Sequence, residues 1–301
     1  MTSCEVDVTE KFSDMESRFV ISGEVVAGEF PWINLSRSVT MTQSDTLYYL
    51  NKALVELTVE NQTYQLESMG DGFYSNDSVI PGAGQILQLQ CSGKDLAPAY
   101  ADLTVPQKPL ITDIRFNVND SSIFTLEADL QDPGATEDYY TFYLSGWLTE
   151  IIHHHDDNNG EVTLDTNRIY TAYRVMVIDP VVEFTGGPRT FLDYEEEDPT
   201  GSYFHFSDRL FNGTTHTIVA TGHLGRIYND TIPEIELHMV KRDRNYFNFI
   251  RSYIRYDPFR AQDFIQPIQV YTNVEGGFGL VTASNPFTQT IDMTPWFTNP
   301  D

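Results

Sequence analysis

Short apolar-rich segments broken by turn residues predict strands almost throughout, and apolar and polar residues alternate most cleanly at Ala53–Glu60. Phe19–Val26 opens the pattern, and Trp32–Val39 and Ala53–Glu60 continue it, with Leu57 and Val59 of the latter pointing to one face. Asn61-Gln62 separates that segment from Thr63–Leu66, which predicts a hairpin. Met69–Tyr74 and Pro81–Gly84 read as turns because glycine and proline punctuate them. Ile86–Cys91 alternates again, and this reading sets Cys91 on the polar face with Gln88 and Gln90. Short strands at regular spacing, with no helical period, predict a β-sandwich of immunoglobulin or transthyretin type over residues 18–106.

Val105–Pro109 reads as a linker, since two prolines exclude ladder pairing. A second strand series follows at Ile111–Val118, Ile123–Ala128, Tyr139–Trp147, Ile169–Val177, Thr215–Thr221 and Glu234–Val240. Asp132-Pro133-Gly134, the insert His153–Thr166 and the acidic loop Asp193–Pro199 interrupt it. The series predicts a second sandwich over 107–301. Within it lies one helix, at about 243–256: Asp243 can cap it, Tyr246, Phe247, Ile250, Tyr253 and Ile254 recur at helical spacing, and Pro258 ends it. Its apolar stripe is expected to lie against the second sandwich.

Ahead of the first strand stand Met1-Thr2-Ser3-Cys4, a large apolar residue, two small ones and a cysteine, which is the form of a lipobox. Read so, Cys4 carries acyl chains, residues 1–17 are lipobox and polar tether, and the sequence begins at the tail of a signal peptide. Each buried methylene contributes about 0.8 kcal/mol, so several chains anchor a protein stably where one does not. The competing reading is a cytosolic start with Cys4 an ordinary thiol, because no basic or long apolar stretch precedes it.

Charge narrows the partners. With 44 acids against 18 bases the formal charge is −26, which repels nucleic-acid phosphates and suits a well-solvated secreted or surface protein. Two cysteines, Cys4 and Cys91, leave no disulfide if Cys4 is acylated, and Cys91 reads as structural because no basic or histidine neighbour lowers its pKa.

Candidate chemistry is sparse. His153, His155, Asp156 and Asp157 offer ligand types suited to a loop-bound cation. The competing account is a solvated loop, since consecutive histidines on a loop do not all face one ion. Six of the 18 bases fall at Lys241, Arg242, Arg244, Arg251, Arg255 and Arg260. Arg244, Arg251 and Arg255 are candidates for a docking face; the alternative is neutralisation of the protein's own acids. No Gly-x-Ser-x-Gly, His-Glu-x-x-His, Cys-x-x-Cys or phosphate-cradling glycine loop occurs, so no residue is assigned a catalytic role and no cofactor is expected.

Several segments together are similar to the Bacteroidota lipoproteins grouped as domain-of-unknown-function family 4249. They are Cys4–Val8, Arg18–Gly23, Asp138–Leu144, Phe206–Gly213 and, after the helix, Thr272–Gly279. The resemblance runs nearly end to end and strengthens the lipobox reading. It implies a non-enzymatic lipoprotein of the outer membrane, anchored by lipid and facing outward. Such a protein is an accessory or binding subunit of a larger complex such as a TonB-dependent transporter, partnered by a β-barrel protein or other surface lipoproteins. The alternatives are a stand-alone surface glycan- or peptide-binding module, or a carboxylate-dependent hydrolase. Bacteroidota O-glycosylate exported proteins at Asp-Ser/Thr followed by an apolar residue, a pattern met at Thr46, Ser78 and Thr231.

Overall fold

Most of these segments pair into antiparallel ladders. In the computed structural model, which describes residues 16–39, 48–119, 123–155, 162–186, 203–224, 232–254 and 270–293, the chain is mainly β. Its contacts form two compact units. Among the described residues, unit 1 comprises residues up to 107 together with 243–284, and unit 2 comprises 108–242 together with 285–293. The expected boundaries at 18–106 and 107–301 place the whole C-terminal part in one sandwich. The observed units are instead discontinuous in sequence.

Unit 1 holds β1 (Phe19–Val26), β2 (Trp32–Arg37), β3 (Tyr48–Tyr49), β4 (Leu54–Val59), β5 (Gln62–Gly70), β6 (Phe73–Ser75), β7 (Ile86–Gly93) and β8 (Leu96–Thr104). They hydrogen-bond in the order β1-β2-β6-β5-β4-β7-β8, with β3 beside β2. β5 changes partner along its length: Gln62–Leu66 pair with β4 and Glu67–Gly70 with β6. Residues from both ends of this order, among them Ile21, Leu35, Leu57, Leu89 and Leu103, share one core. Phe73–Ser75 is thus a strand where a turn was expected. Cys91 is fully buried and not on the polar face, because residues two apart on a strand share a side and position 91 aligns with Leu87 and Leu89. Burial pushes its thiol up to about 12, so it packs and does not react.

Unit 2 contains two sheets. β9 (Leu110–Val118), β10 (Ile123–Gln131), β13 (Val175–Val177) and β16 (Thr215–His223) pair in the order β13-β16-β10-β9. β11 (Tyr139–His155), β12 (Val162–Ala172), β14 (Val182–Thr185), β15 (Phe204–Ser207) and β17 (Ile232–Arg242) form the other, ordered β14-β15-β11-β17, with β12 also on β11. Leu126 and Ile218 of the first sheet and Phe142, Leu144 and Leu237 of the second belong to one buried cluster. Within the expected insert His153–Thr166, His153–His155 belong to β11 and Val162–Thr166 to β12. His153 pairs with Leu164 and His155 with Val162, so the ladder, not a loop, satisfies their backbone groups.

A strand not anticipated, β18 (Phe278–Ile291), takes part in both units. Its residues Phe278–Ser284 pair with β1 in parallel. The helix α1 spans Arg244–Tyr253, inside the expected 243–256, and residues 255–269 lie outside the described chain. Asp243 caps it as expected, its side chain accepting the Tyr246 N–H at 2.8 Å. The same carboxylate accepts bonds from Thr282 Oγ1 and the Ala283 N–H of β18, so the helix belongs to unit 1 and not to the C-terminal series. Tyr246, Phe247 and Ile250 are buried, whereas Ile254 is exposed. Phe247→Ala is expected to cost about 3 kcal/mol of unfolding free energy in urea, since it empties a buried aromatic site; a loss under about 1 kcal/mol would contradict that packing.

Candidate metal centre

Three buried carboxylates converge in unit 2. Asp132 follows β10 in the Asp132-Pro133-Gly134 turn, where its Oδ2 accepts the N–H groups of Gly134 at 2.8 Å and Gly213 at 2.7 Å. Its Oδ1 accepts from the Tyr140 hydroxyl at 3.3 Å. Asp138 immediately precedes β11; its Oδ1 accepts from Thr136 Oγ1 at 3.0 Å and its Oδ2 is ion-paired with the Lys241 ammonium of β17. Asp208 opens a short 3-10 turn, Asp208–Leu210, after β15, and its backbone N–H donates to the Asp138 carbonyl at 3.0 Å.

Strand register explains the convergence. β11 pairs with β15 so that Tyr139 faces Ser207, and with β17 so that Tyr140 faces Lys241. Asp138 and Asp208 each stand one residue beyond the Tyr139–Ser207 pair, and Lys241 is delivered beside them. One oxygen from each of Asp132, Asp138 and Asp208 lies within 4.8 Å of the others. Their exposures are 3%, 6% and 0%. Neither oxygen of Asp208 has a hydrogen-bond partner. Burial pushes its carboxyl up to about 6, opposed by the Asp138 amide and reinforced by the charges of Asp132, Asp138 and Glu137. Burial, and then the charges of Asp138 and Asp132, raise the Tyr140 hydroxyl as well. Tyr140 stacks on Phe206 at 5.4 Å, and Phe211 packs against both rings. If all three carboxyls ionise, the paired Lys241 ammonium offsets one of their charges.

A second polar group lies on β11 and β17. Ser145 Oγ and His238 Nε2 share a hydrogen bond at 2.7 Å, the distance of a nucleophile and its base. His238 Nδ1 meets Thr288 Oγ1 at 3.1 Å, and the ring lies flat on Tyr143 at 4.4 Å. The Tyr170 hydroxyl bonds both Ser145, at 2.6 Å, and Glu236, at 3.2 Å. Ser145 and His238 are 1% and 7% exposed.

Most residues singled out from sequence lie elsewhere. Cys4, Thr46, Asp156, Asp157, Thr231 and Arg255 fall outside the described residues, and His153 and His155 are placed as strand positions of β11. Ser78 sits on an exposed turn after β6, its N–H bonded to Asn76 Oδ1 at 2.8 Å. Arg244 and Arg251 are exposed on α1. No local pattern in the sequence joins the three aspartates. Asp132 was visible as a strand break, and Asp138 and Asp208 lie in two of the segments that carry the family resemblance, but nothing local joins residues 76 positions apart.

A family model described as "Domain of unknown function (DUF4249)" matches residues 2–290. No curated protein matches the sequence. Among solved structures, the collagen adhesin of S. aureus is similar over 90% of this chain and 93% of its own length, at 8% identity and a TM-score of 0.21. A score that low supports no argument about activity or partners.

Proposed function

We propose, on the premise that this chain belongs to the DUF4249 family, that it is a non-enzymatic lipoprotein of the outer membrane. In this reading Cys4 carries the lipid anchor and the polar stretch after it is a tether. The β-sandwich units beyond the tether face outward and serve as accessory or binding subunit of a larger complex, such as a TonB-dependent transporter. One observation weighs against acyl-transfer hydrolysis. Ser145 and His238, a pair with the spacing of an acyl-transfer dyad, are buried and bonded on all sides. In a working triad an acid orients the base through its second nitrogen. Here Nδ1 meets a threonine hydroxyl, while Glu236 stands 3.5 Å from Nε2, the nitrogen that already faces Ser145.

A stand-alone surface module is the second reading. It draws on Trp32, 42% exposed, which meets Phe73 edge-on at 6.4 Å and offers an apolar face on which a sugar ring can stack. Fractionation and affinity capture from native cells test both. Cys4→Ala is expected to move the protein from the membrane pellet to the soluble fraction, and capture of the lipidated protein from detergent-solubilised membranes is expected to recover a β-barrel protein. A Cys4→Ala chain that stays in membranes without partners would overturn the anchor. Recovery of glycan with no membrane protein would replace the accessory role by the module.

A further inference from the structure

We propose that Asp132, Asp138 and Asp208 bind a divalent hard cation, and that the ion is calcium. Asp208 carries the argument. Its side chain is enclosed completely, yet neither carboxylate oxygen receives a well-formed hydrogen bond, the Asp138 N–H being a nearby donor outside that geometry, whereas buried polar groups in folded proteins are paired almost without exception. Placing the ionised form there needs a positive partner. Lys241 does not fill that need, because its ammonium is engaged by Asp138.

The donor set selects the ion. Three carboxylates and no imidazole or thiolate favour a hard cation over zinc or copper. Oxygens bound to one calcium ion at about 2.4 Å stand at most about 4.8 Å apart, and the three carboxylates meet that bound. Three negative charges against one ammonium leave two, which a divalent ion cancels and a monovalent one does not. Calcium fits better than magnesium because magnesium retains several waters in strict octahedral geometry. Three carboxylates that can each bind through one or both oxygens suit calcium's flexible coordination, which backbone carbonyls or water complete. The site holds whatever the protein's role in the membrane, and its three ligands are other residues than those expected to hold a cation at His153–Asp157.

Calcium chloride titrated into the EDTA-stripped full-length chain, followed by calorimetry and thermal melting, tests the assignment. One ion is expected to bind per chain and, at about 100 times its dissociation constant, to raise Tm by about 5 °C or more. Asp208→Asn is expected to weaken binding at least ten-fold and to abolish the Tm rise. Its calcium-free Tm should equal or exceed that of the calcium-free wild type, because the variant no longer buries an uncompensated charge. A His153→Ala/His155→Ala double variant should bind as the wild type does. Failure of the wild type to bind millimolar calcium overturns the proposal even if Asp208→Asn does not fold, as does undiminished binding by Asp208→Asn. Tighter binding of magnesium or zinc overturns the choice of ion.

Discussion

Gly279→Ala should lose about 4–6 kcal/mol of stability, enough to threaten unit 1 outright given that domains are stable by about 5–15 kcal/mol. Gly279 has φ +106°, a left-handed conformation that side chains resist, and a Cβ built there would lie 2.0 Å from the Ile21 carbonyl oxygen. Backbone strain of this kind costs about 1–3 kcal/mol, and forcing atoms into a filled space adds a similar amount or more. The strand cannot back away to relieve the clash. Gly279 faces Ile21 in the parallel pairing of β1 and β18, and two residues on Val281 is fully buried. Asn273 pins that residue with two bonds, accepting the Val281 N–H at 3.0 Å and donating to its carbonyl at 2.7 Å. Urea denaturation followed by intrinsic fluorescence measures the loss. Gly28→Ala is the control: its φ is +83° but nothing lies within 4 Å of the added carbon, so strain alone, about 1 kcal/mol, is expected. Equal losses for the two variants would show that the β1–β18 contact is looser than described.

Lys241→Met should cost about 3–5 kcal/mol at neutral pH in the presence of EDTA, the range for removing one partner of a buried ion pair. Methionine matches the length and apolar stem of lysine, so the loss reads the charge more than the packing. Lys241 and Asp138 side chains are each 7% exposed, and the ammonium also lies 5.8 Å from the centre of the Tyr140 ring. Without it, three carboxylates share a buried corner with no paired cation. The double variant Lys241→Met/Asp138→Leu, which removes both members, should recover much of the lost stability, because an apolar pair of similar volume avoids the desolvation of both charges. A single variant as stable as the wild type would mean that Lys241 is not needed to neutralise the cluster.

Much of the fold was legible because strands buried on one side announce themselves. β7 and β10 alternate in sequence and show the matching pattern of buried and exposed residues. Strand β18 is buried on both sides: six consecutive residues, Leu280–Asn285, are enclosed, so no period of two survives. The end of β11 was hidden for a different reason. Three histidines followed by an Asp-Asn-rich run look like a loop, and the partner strand β12 is what makes His153–His155 part of a ladder.

The candidate centre divides along the same line. Residue order alone determined that this protein is built of strands, that its one expected helix starts at Asp243 and buries Tyr246, Phe247 and Ile250, and that its surface is strongly acidic, because these follow from neighbours within a few positions. Only the tertiary structure decided that the Asp243 carboxylate also binds β18, and that three of the 44 acids leave the surface and meet around Lys241. Carboxylates separated by up to 76 residues come together through the register of β11 with β15 and β17, and register is a property of paired strands that no single stretch of sequence carries.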